Sequence, residues 1–209
     1  KRKTFRIMKQ ETQFSLFQSL TSNRNLGLVT LAEVYRLITT DATLKENAGK
    51  FRYFQAQGFD DDADKIKRSK SLVFTPAAVF DGKRNGKNRV SYTQYSLVDI
   101  DKLEEGQAER LVKRLKDDPY WLLVYITLSG KGLRIIFQVE GVIDGASYLR
   151  AFFQGNDHYC RLLGITDFDG QVKDDTRASG MCHDPNALYR SEAKVFPVYP
   201  DKVTVGEVW

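Results

Sequence analysis

The sequence predicts an α+β fold whose second half runs β-α-β-β-α-β. Three observations carry this. Residues 95–139 alternate short β-rich runs with one amphipathic helix. Ser129-Gly-Lys-Gly132 separates two of those runs by a glycine-rich turn, the mark of a hairpin. Gly145–Leu163 spaces Tyr148, Phe152, Tyr159 and Leu163 along one helical face. The order is that of the split β-α-β, the ferredoxin-like or RNA-recognition-motif-like arrangement, with two helices on one face of a sheet. Such an order says nothing by itself about chemistry.

Taken along the chain, Thr4–Met8 is expected to form a short strand. Thr30 caps the amphipathic run Leu31–Ile38, with Glu33 three residues on completing a capping box. Asp41–Gln57 reads as a second helix ended by Gly58. Asp60–Lys70 reads as a polar third one, acidic at its start and basic at its end as the helix dipole favours. Leu72–Phe80 reads as a strand, and Gly82–Arg89 as a basic turn. Ser96–Asp101 is a buried strand ending in carboxylates. Glu104–Lys116 is a helix turning Leu111, Val112 and Leu115 inward, and Asp117-Asp118-Pro119 stops it. Trp121–Leu128 and Leu133–Val139 form the hairpin. Thr166–Asp169 and Lys194–Tyr199 are expected to supply further strands.

With 209 residues, 13 Phe, 10 Tyr and 2 Trp, the chain can bury a sizeable core, and it fits one large domain or two small ones. No apolar run approaches the ~18–20 residues of a membrane span. The start Lys1-Arg-Lys-Thr-Phe5 has no apolar region behind it and reads as a trimmed start rather than a signal peptide. Two cysteines make no disulfide framework, so a reducing, cytoplasmic setting is expected. The net charge of +5 hints at an anionic partner, but where the charge clusters matters more.

Asp99 and Asp101 stand two apart in a strand and therefore share a face, while Val98 and Ile100 go to the core. Adjacent carboxylates repel, and a hard divalent cation such as Mg²⁺ or Mn²⁺ removes that penalty. The alternative is an acidic strand end at the surface. Ser129, Gly130, Lys131 and Gly132 let backbone N–H groups and one point charge approach an anion, or make an ordinary hairpin turn. No Walker A motif exists, so the chain is not a P-loop NTPase. Arg134 falls among inward apolar residues and needs a negative partner: a phosphate, or Asp99 and Asp101. The acidic stretch Asp167–Arg177 resembles a calcium loop only superficially and reads otherwise as solvated loop. His158, Cys160, Cys182 and His183 fit zinc spacing poorly, and no zinc is expected.

The series Val-Asp-Ile-Asp101, Ser129-Gly-Lys-Gly-Leu-Arg-Ile135, Asp169, Asp174, Arg177 and Cys182-His-Asp-Pro-Asn-Ala-Leu-Tyr189 resembles the archaeo-eukaryotic primase superfamily. More narrowly, it is similar to the primase-polymerase-like N-terminal domain associated with virulence-associated protein E of bacterial mobile elements. The likeness covers roughly residues 70–196. It implies a single domain, 1–209, in which an N-terminal α/β unit (1–90) packs on the RNA-recognition-motif-like catalytic sheet (91–209), with the site between them. It implies metal-dependent nucleotidyl transfer, with Asp99, Asp101 and Asp169 as catalytic metal-binding carboxylates. Ser129, Gly130, Lys131, Gly132, Arg134 and Arg177 would bind the nucleotide. Arg134 stands where the second motif usually has His, and Cys182-His183 where the last signature has Ser-Tyr. Nucleoside triphosphates, single-stranded or primer-template DNA and a helicase domain or subunit are the partners the resemblance implies, with no membrane involved. Lys83, Arg84, Lys87 and Arg89, and the stretch Lys113–Lys116, could track a DNA backbone or form solvated faces.

Two other functional classes fit the same residues. One is a nucleic-acid or nucleotide-binding module of this fold that has lost activity, because Arg cannot exchange protons near pH 7. The other is a metal-dependent nuclease using the same aspartates. A relaxase of the paired-histidine type is disfavoured, since His158 and His183 do not form its motif.

Overall fold

The computed structural model describes residues 11–166, 168 and 170–200, so the expected strand Thr4–Met8 lies outside the described residues. The elements run β1 (Gln13–Phe17), β2 (Asn25–Thr30), α1 (Leu31–Thr40), α2 (Ala42–Ala56), α3 (Asp60–Ser69), β3 (Val73–Phe74), β4 (Ala78–Phe80) and β5 (Arg89–Tyr92). They continue with β6 (Tyr95–Ile100), α4 (Gln107–Arg114), β7 (Trp121–Ile126), β8 (Leu133–Gln138), α5 (Gly145–Leu163), β9 (Ser179–Gly180) and β10 (Leu188–Tyr189). Single 3₁₀ turns occupy Gly86–Asn88 and Gly170–Lys173. The fold is mixed α/β with antiparallel sheets.

The helices start where local chemistry dictates. Thr30 Oγ1 accepts the Glu33 N–H and the Glu33 carboxylate accepts the Thr30 N–H, a complete capping box. Asp41 caps α2 through the Leu44 N–H, and Asp144 caps α5 through the Ser147 N–H. α4 is shorter than Glu104–Lys116, because Gly106 enters it in the left-handed region at φ 69° and Glu104 stays outside.

Among the described residues two four-stranded sheets have the orders β2-β1-β3-β9 and β10-β7-β8-β6, and β4 pairs with β5. In the second, β8 lies antiparallel between β6 and β7, so β6-α4-β7 is a split crossover. The fourth strand departs from the ferredoxin-like order, in which it would flank β6: β10 pairs with β7 at the opposite edge. The segment Lys194–Tyr199 is not a strand, although the Phe196 N–H donates to the Gln138 carbonyl at 2.8 Å. Thr166 and Phe168 are not in a strand either. Leu72–Phe80 is split into β3 and β4 around Pro76, which has no N–H to give a ladder.

Each face of the second sheet buries its own core. Val98, Ile100, Leu133, Ile135 and Phe137 pack against α4 and α5. Leu97, Leu123, Tyr125 and Ile136 pack with Phe14 and Phe74 of the first sheet and with α1 and α2. Gly155 lets α5 approach closely, for a Cβ there would stand 2.1 Å from the Phe137 ring. Among the described residues no helix is long and apolar enough to cross a membrane.

Candidate functional site

Strand register sets the centre of the site. Asp99 on β6 faces Arg134 on β8, and Arg134 faces Tyr125 on β7. By alternation these three side chains share the sheet face turned toward the first sheet, while Val98 and Ile100 point away to the helices. Arg134 Nη2 donates to Asp99 Oδ2 at 2.7 Å. Its Nη1 donates to Ser179 Oγ at 3.2 Å and to the Gly180 carbonyl at 3.3 Å, both on β9 of the other sheet. Tyr125 Oη and Ser179 Oγ share a hydrogen bond of 2.5 Å, which closes a polar network between the sheets.

Burial works against the Arg134 charge, but Asp99 and Tyr125 beside it outweigh that cost and raise its pKa, so the guanidinium stays protonated. Burial pushes the Tyr125 phenol up to about 12, against the opposing pull of Arg134. Among the described residues, Asp99 Oδ1 and Arg134 Nε are buried without a hydrogen-bond partner.

Asp101 lies just past the end of β6, exposed, against the glycine-rich turn. Gly132 passes so close that a Cβ would meet Thr127 Oγ1 at 2.5 Å, the Ile100 carbonyl at 2.8 Å and Asp101 Oδ1 at 2.9 Å. The turn is closed by the Thr127 N–H on the Gly132 carbonyl and the Gly130 N–H on the Thr127 carbonyl, each 2.9 Å. Gly130 sits at φ 74°, and Ser129 Oγ accepts the Lys131 N–H at 3.2 Å. The Lys131 carbonyl accepts the Leu103 N–H at 2.9 Å, which ties the turn to the chain leaving β6.

Ser129, Gly130 and Lys131 line an open cleft of about 1080 Å³, together with Arg52, Lys113 and His183. Asp184 also lines it, but its carboxylate is engaged. Oδ2 accepts the Ile126 N–H at 2.8 Å and Oδ1 the Asn186 N–H at 3.0 Å. Asp184 thus anchors the end of β7 from which the turn springs. Tyr189, of the same expected signature, stacks on Tyr35 with centroids 5.2 Å apart.

The other expected site residues are placed less centrally. Asp169 lies outside the described residues, as does Asp167. Arg177 is exposed, and its N–H donates to the Asp174 carbonyl at 2.9 Å. In the basic turn Lys83 and Lys87 are exposed, but the two arginines are engaged inside the molecule. Arg84 Nη2 donates to the Leu20 carbonyl at 3.1 Å, with its guanidinium 5.6 Å from the Phe17 ring centre. Burial, then the charge of Arg177, lowers its pKa. Arg89 pairs with Asp175 and lies over Tyr92. His158 bonds Asp118 before β7, whereas the Cys182 thiol donates to the Ile126 carbonyl at the other end of that strand. Among the described residues no three His, Cys, Asp or Glu side chains are grouped so as to hold a metal ion.

Two participants escape a reading of the sequence. Tyr125 could have been found by pairing the hairpin strands, which sets it opposite Arg134. Ser179 carries no such signal, because β9 is two residues long and pairs in the distant sheet.

Comparisons with known proteins add the following. The profile of the family described as BT4734-like, N-terminal domain, matches residues 65–189. Among solved structures, the chain is similar to the AEP domain of the cyanophage S-2L primase-polymerase (PrimPol), with 11% sequence identity and a TM-score of 0.42. That match covers 88% of this chain and 84% of the other. No curated protein sequence matches.

Proposed function

The chain belongs to the BT4734-like N-terminal domain family, and from that premise we propose that it is a primase-polymerase-like nucleotidyltransferase domain dependent on Mg²⁺ or Mn²⁺. The observation that carries the reading is the arrangement at the end of β6. Asp101 stands against the Ser129–Gly132 turn, Asp99 two residues before it faces Arg134, and one oxygen of Asp99 is buried with no hydrogen-bond partner among the described residues. A carboxylate whose Oδ2 is fixed by Arg134 and whose Oδ1 is unfilled fits a cation ligand. Asp99 Oδ1 and Asp101 would hold the ion, with Asp169 as the third carboxylate that the motif series suggests. A bound divalent ion supplies charge neutralisation on a triphosphate and acidifies an attacking hydroxyl.

The chain's own residues do the rest. Arg134 orients Asp99 and holds its charge in a buried setting. The Ser129–Gly132 turn, with Lys131, offers the nucleotide phosphates a positive edge on the cleft, and Arg177 adds a further charge. Lys83 and Lys87 offer exposed charge to single-stranded or primer-template DNA. By the motif resemblance, the domain would serve replication of a mobile element in the cytoplasm, beside a helicase domain or subunit.

One observation favours a second reading, a binding module without turnover. The Asp99–Arg134 pair already neutralises the central carboxylate, and Arg134 is held on both of its Nη atoms. The test is a primer-extension and de novo synthesis assay with Mn²⁺, run on the parent chain and on Asp99→Asn, Asp101→Asn together, with DNA binding measured in parallel. Synthesis by the parent and its loss in the variant, with DNA binding kept, is expected. DNA binding without synthesis in the parent selects the binding module, and shortened strands select nuclease chemistry.

A further inference from the structure

The Asp99–Arg134 pair is joined by one hydrogen bond where its chemistry allows two. Arg134 Nη2 donates to Asp99 Oδ2 at 2.7 Å. Neither Asp99 Oδ1 nor Arg134 Nε has a hydrogen-bond partner among the described residues. Nε and Nη2 lie on the same side of a guanidinium, and together they close a bidentate fork on a carboxylate. Buried polar atoms are ordinarily filled, and here a leftover donor and a leftover acceptor belong to the same ion pair. Closing the fork would fill both, so the open pair must be held open by contacts elsewhere on the guanidinium.

Those contacts come from the other sheet. Arg134 Nη1 donates to Ser179 Oγ at 3.2 Å and to the Gly180 carbonyl at 3.3 Å. Ser179 and Gly180 are fixed in turn by pairing with Phe74 and Val73 of β3. Tyr125 Oη lies 2.5 Å from Ser179 Oγ and donates to the Gly180 carbonyl at 3.1 Å. A guanidinium can only donate, so Ser179 accepts from Arg134. Both hydroxyl protons then find an acceptor when Ser179 donates to Tyr125 and Tyr125 to Gly180. Ser179 and Tyr125 are both fully buried, so water does not compete for these bonds.

We infer that Ser179 and Tyr125 are positioning residues that hold Arg134 one-sided on Asp99 and so reserve Asp99 Oδ1 for a divalent cation. The inference rests on the metal-binding reading above and adds two residues from outside the motif series. Without the hydroxyls, Nη1 loses its hold and the guanidinium turns about its single bond to Oδ2. Nε then closes the fork on Oδ1. The ion pair is better satisfied than before, and the cation has lost a ligand. Loss of the hydroxyls thus lowers cation affinity in a chain that stays folded.

The experiment is titration of the whole chain with Mn²⁺, without nucleotide or DNA, following the free ion by electron paramagnetic resonance. Ser179→Ala and Tyr125→Phe should each weaken Mn²⁺ binding about tenfold, the low end of what loss of a residue supporting a metal ligand costs. Tyr159→Phe, which removes an equally buried hydroxyl from Asp118, should leave it unchanged. Ser179→Ala should add nothing in an Arg134→Gln background, which has no fork to close. Thermal melting checks that each variant is folded, and Tyr125→Phe, which keeps the ring, carries the test where Ser179→Ala does not fold. Equal affinity in the parent, Ser179→Ala and Tyr125→Phe, with the ion lost in Asp99→Asn, overturns this inference and leaves the metal reading standing. An equal loss in Tyr159→Phe also overturns it, as does a further loss on adding Ser179→Ala to Arg134→Gln. A parent that binds no Mn²⁺, or Asp99→Asn that binds it as the parent does, overturns both.

Discussion

Asp99 and Arg134 are direct cross-strand partners, 2.7 Å apart, at the place where the second sheet meets the first. Their side chains are 4% and 15% exposed, so neither charge can turn to water for compensation. Arg134→Leu should therefore cost ~3–5 kcal/mol in urea unfolding, the penalty for stranding a buried carboxylate. Asp99→Leu combined with Arg134→Leu should cost less than Arg134→Leu alone. A single-variant cost under ~1 kcal/mol would mean that solvent reaches Asp99.

Gly132→Ala tests the seam between the turn and β6. The added methyl meets the Ile100 carbonyl at 2.8 Å, a backbone atom of the paired strand β6 that cannot step aside as a flexible side-chain end could. A loss of ~1–3 kcal/mol is expected from this overpacking, read as a lowered melting temperature. Because Asp101 Oδ1 is displaced by the same methyl, Mn²⁺-dependent synthesis should fall by more than the fraction unfolded accounts for. Gly86→Ala, where a Cβ meets nothing within 4 Å, is the control.

Cys182 and Tyr125 predict weakness at high pH. Burial is the leading cause in both, and each is pushed up to about 12 against unperturbed values of 9.0 and 10.0. In the folded chain both keep their protons through a range where the unfolded chain has released them. Their stabilising effect is thus fully present below pH 9 and is lost as pH rises from 9 toward 12, by roughly 1 kcal/mol per pH unit for each proton. Denaturation midpoints should fall over that window, and Cys182→Ser should delay the onset toward pH 10. The native thiol should also resist alkylation at neutral pH and react on unfolding.

Salt dependence separates the two kinds of cation in the basic turn. Lys83→Ala and Lys87→Ala should each flatten the slope of log affinity for single-stranded DNA against log salt by ~0.7, the loss of one phosphate contact. Arg89→Ala should act on folding instead, since it leaves Asp175, whose side chain is 11% exposed, without its cation and with only the Tyr92 hydroxyl at that oxygen. An unchanged slope in both lysine variants would move the DNA path elsewhere, to the cleft edge at Arg52 and Lys113.

The helices were legible because their signals are local. A cap, a box partner three residues on and a glycine stop sit inside one window, and α1, α2, α3 and α5 begin and end within about two residues of those signals. β1 was not legible. Ser15 is fully buried, with its Oγ accepting the Phe80 N–H at 2.8 Å, so Phe14, Ser15 and Phe17 are all covered and no alternation shows. β2 hides behind Gly27 at φ 114°. The expected last strand Lys194–Tyr199 has the better pattern, yet Pro197 interrupts its donors, and the two-residue β10 joins the sheet instead, at the β7 edge. At the site, the inward place of Arg134 called for a negative partner, and Asp99 is among those the sequence offered, beside Asp101 and a phosphate. The inter-sheet bonds to Ser179 were not legible, because nothing within a strand announces its partner in another sheet.

β9 gives the molecule an order of events. Ser179 and Gly180 add the strand that covers β3, so that edge of the sheet stays open until the ribosome has passed the long stretch between the two. During synthesis at ~5–20 residues per second, the roughly hundred residues between β3 and β9 correspond to some 5–20 seconds of exposure for that edge. A nascent chain halted before Ser179 presents β3 as a template for foreign strands. Premature termination in this stretch should therefore yield aggregates rather than a smaller folded product.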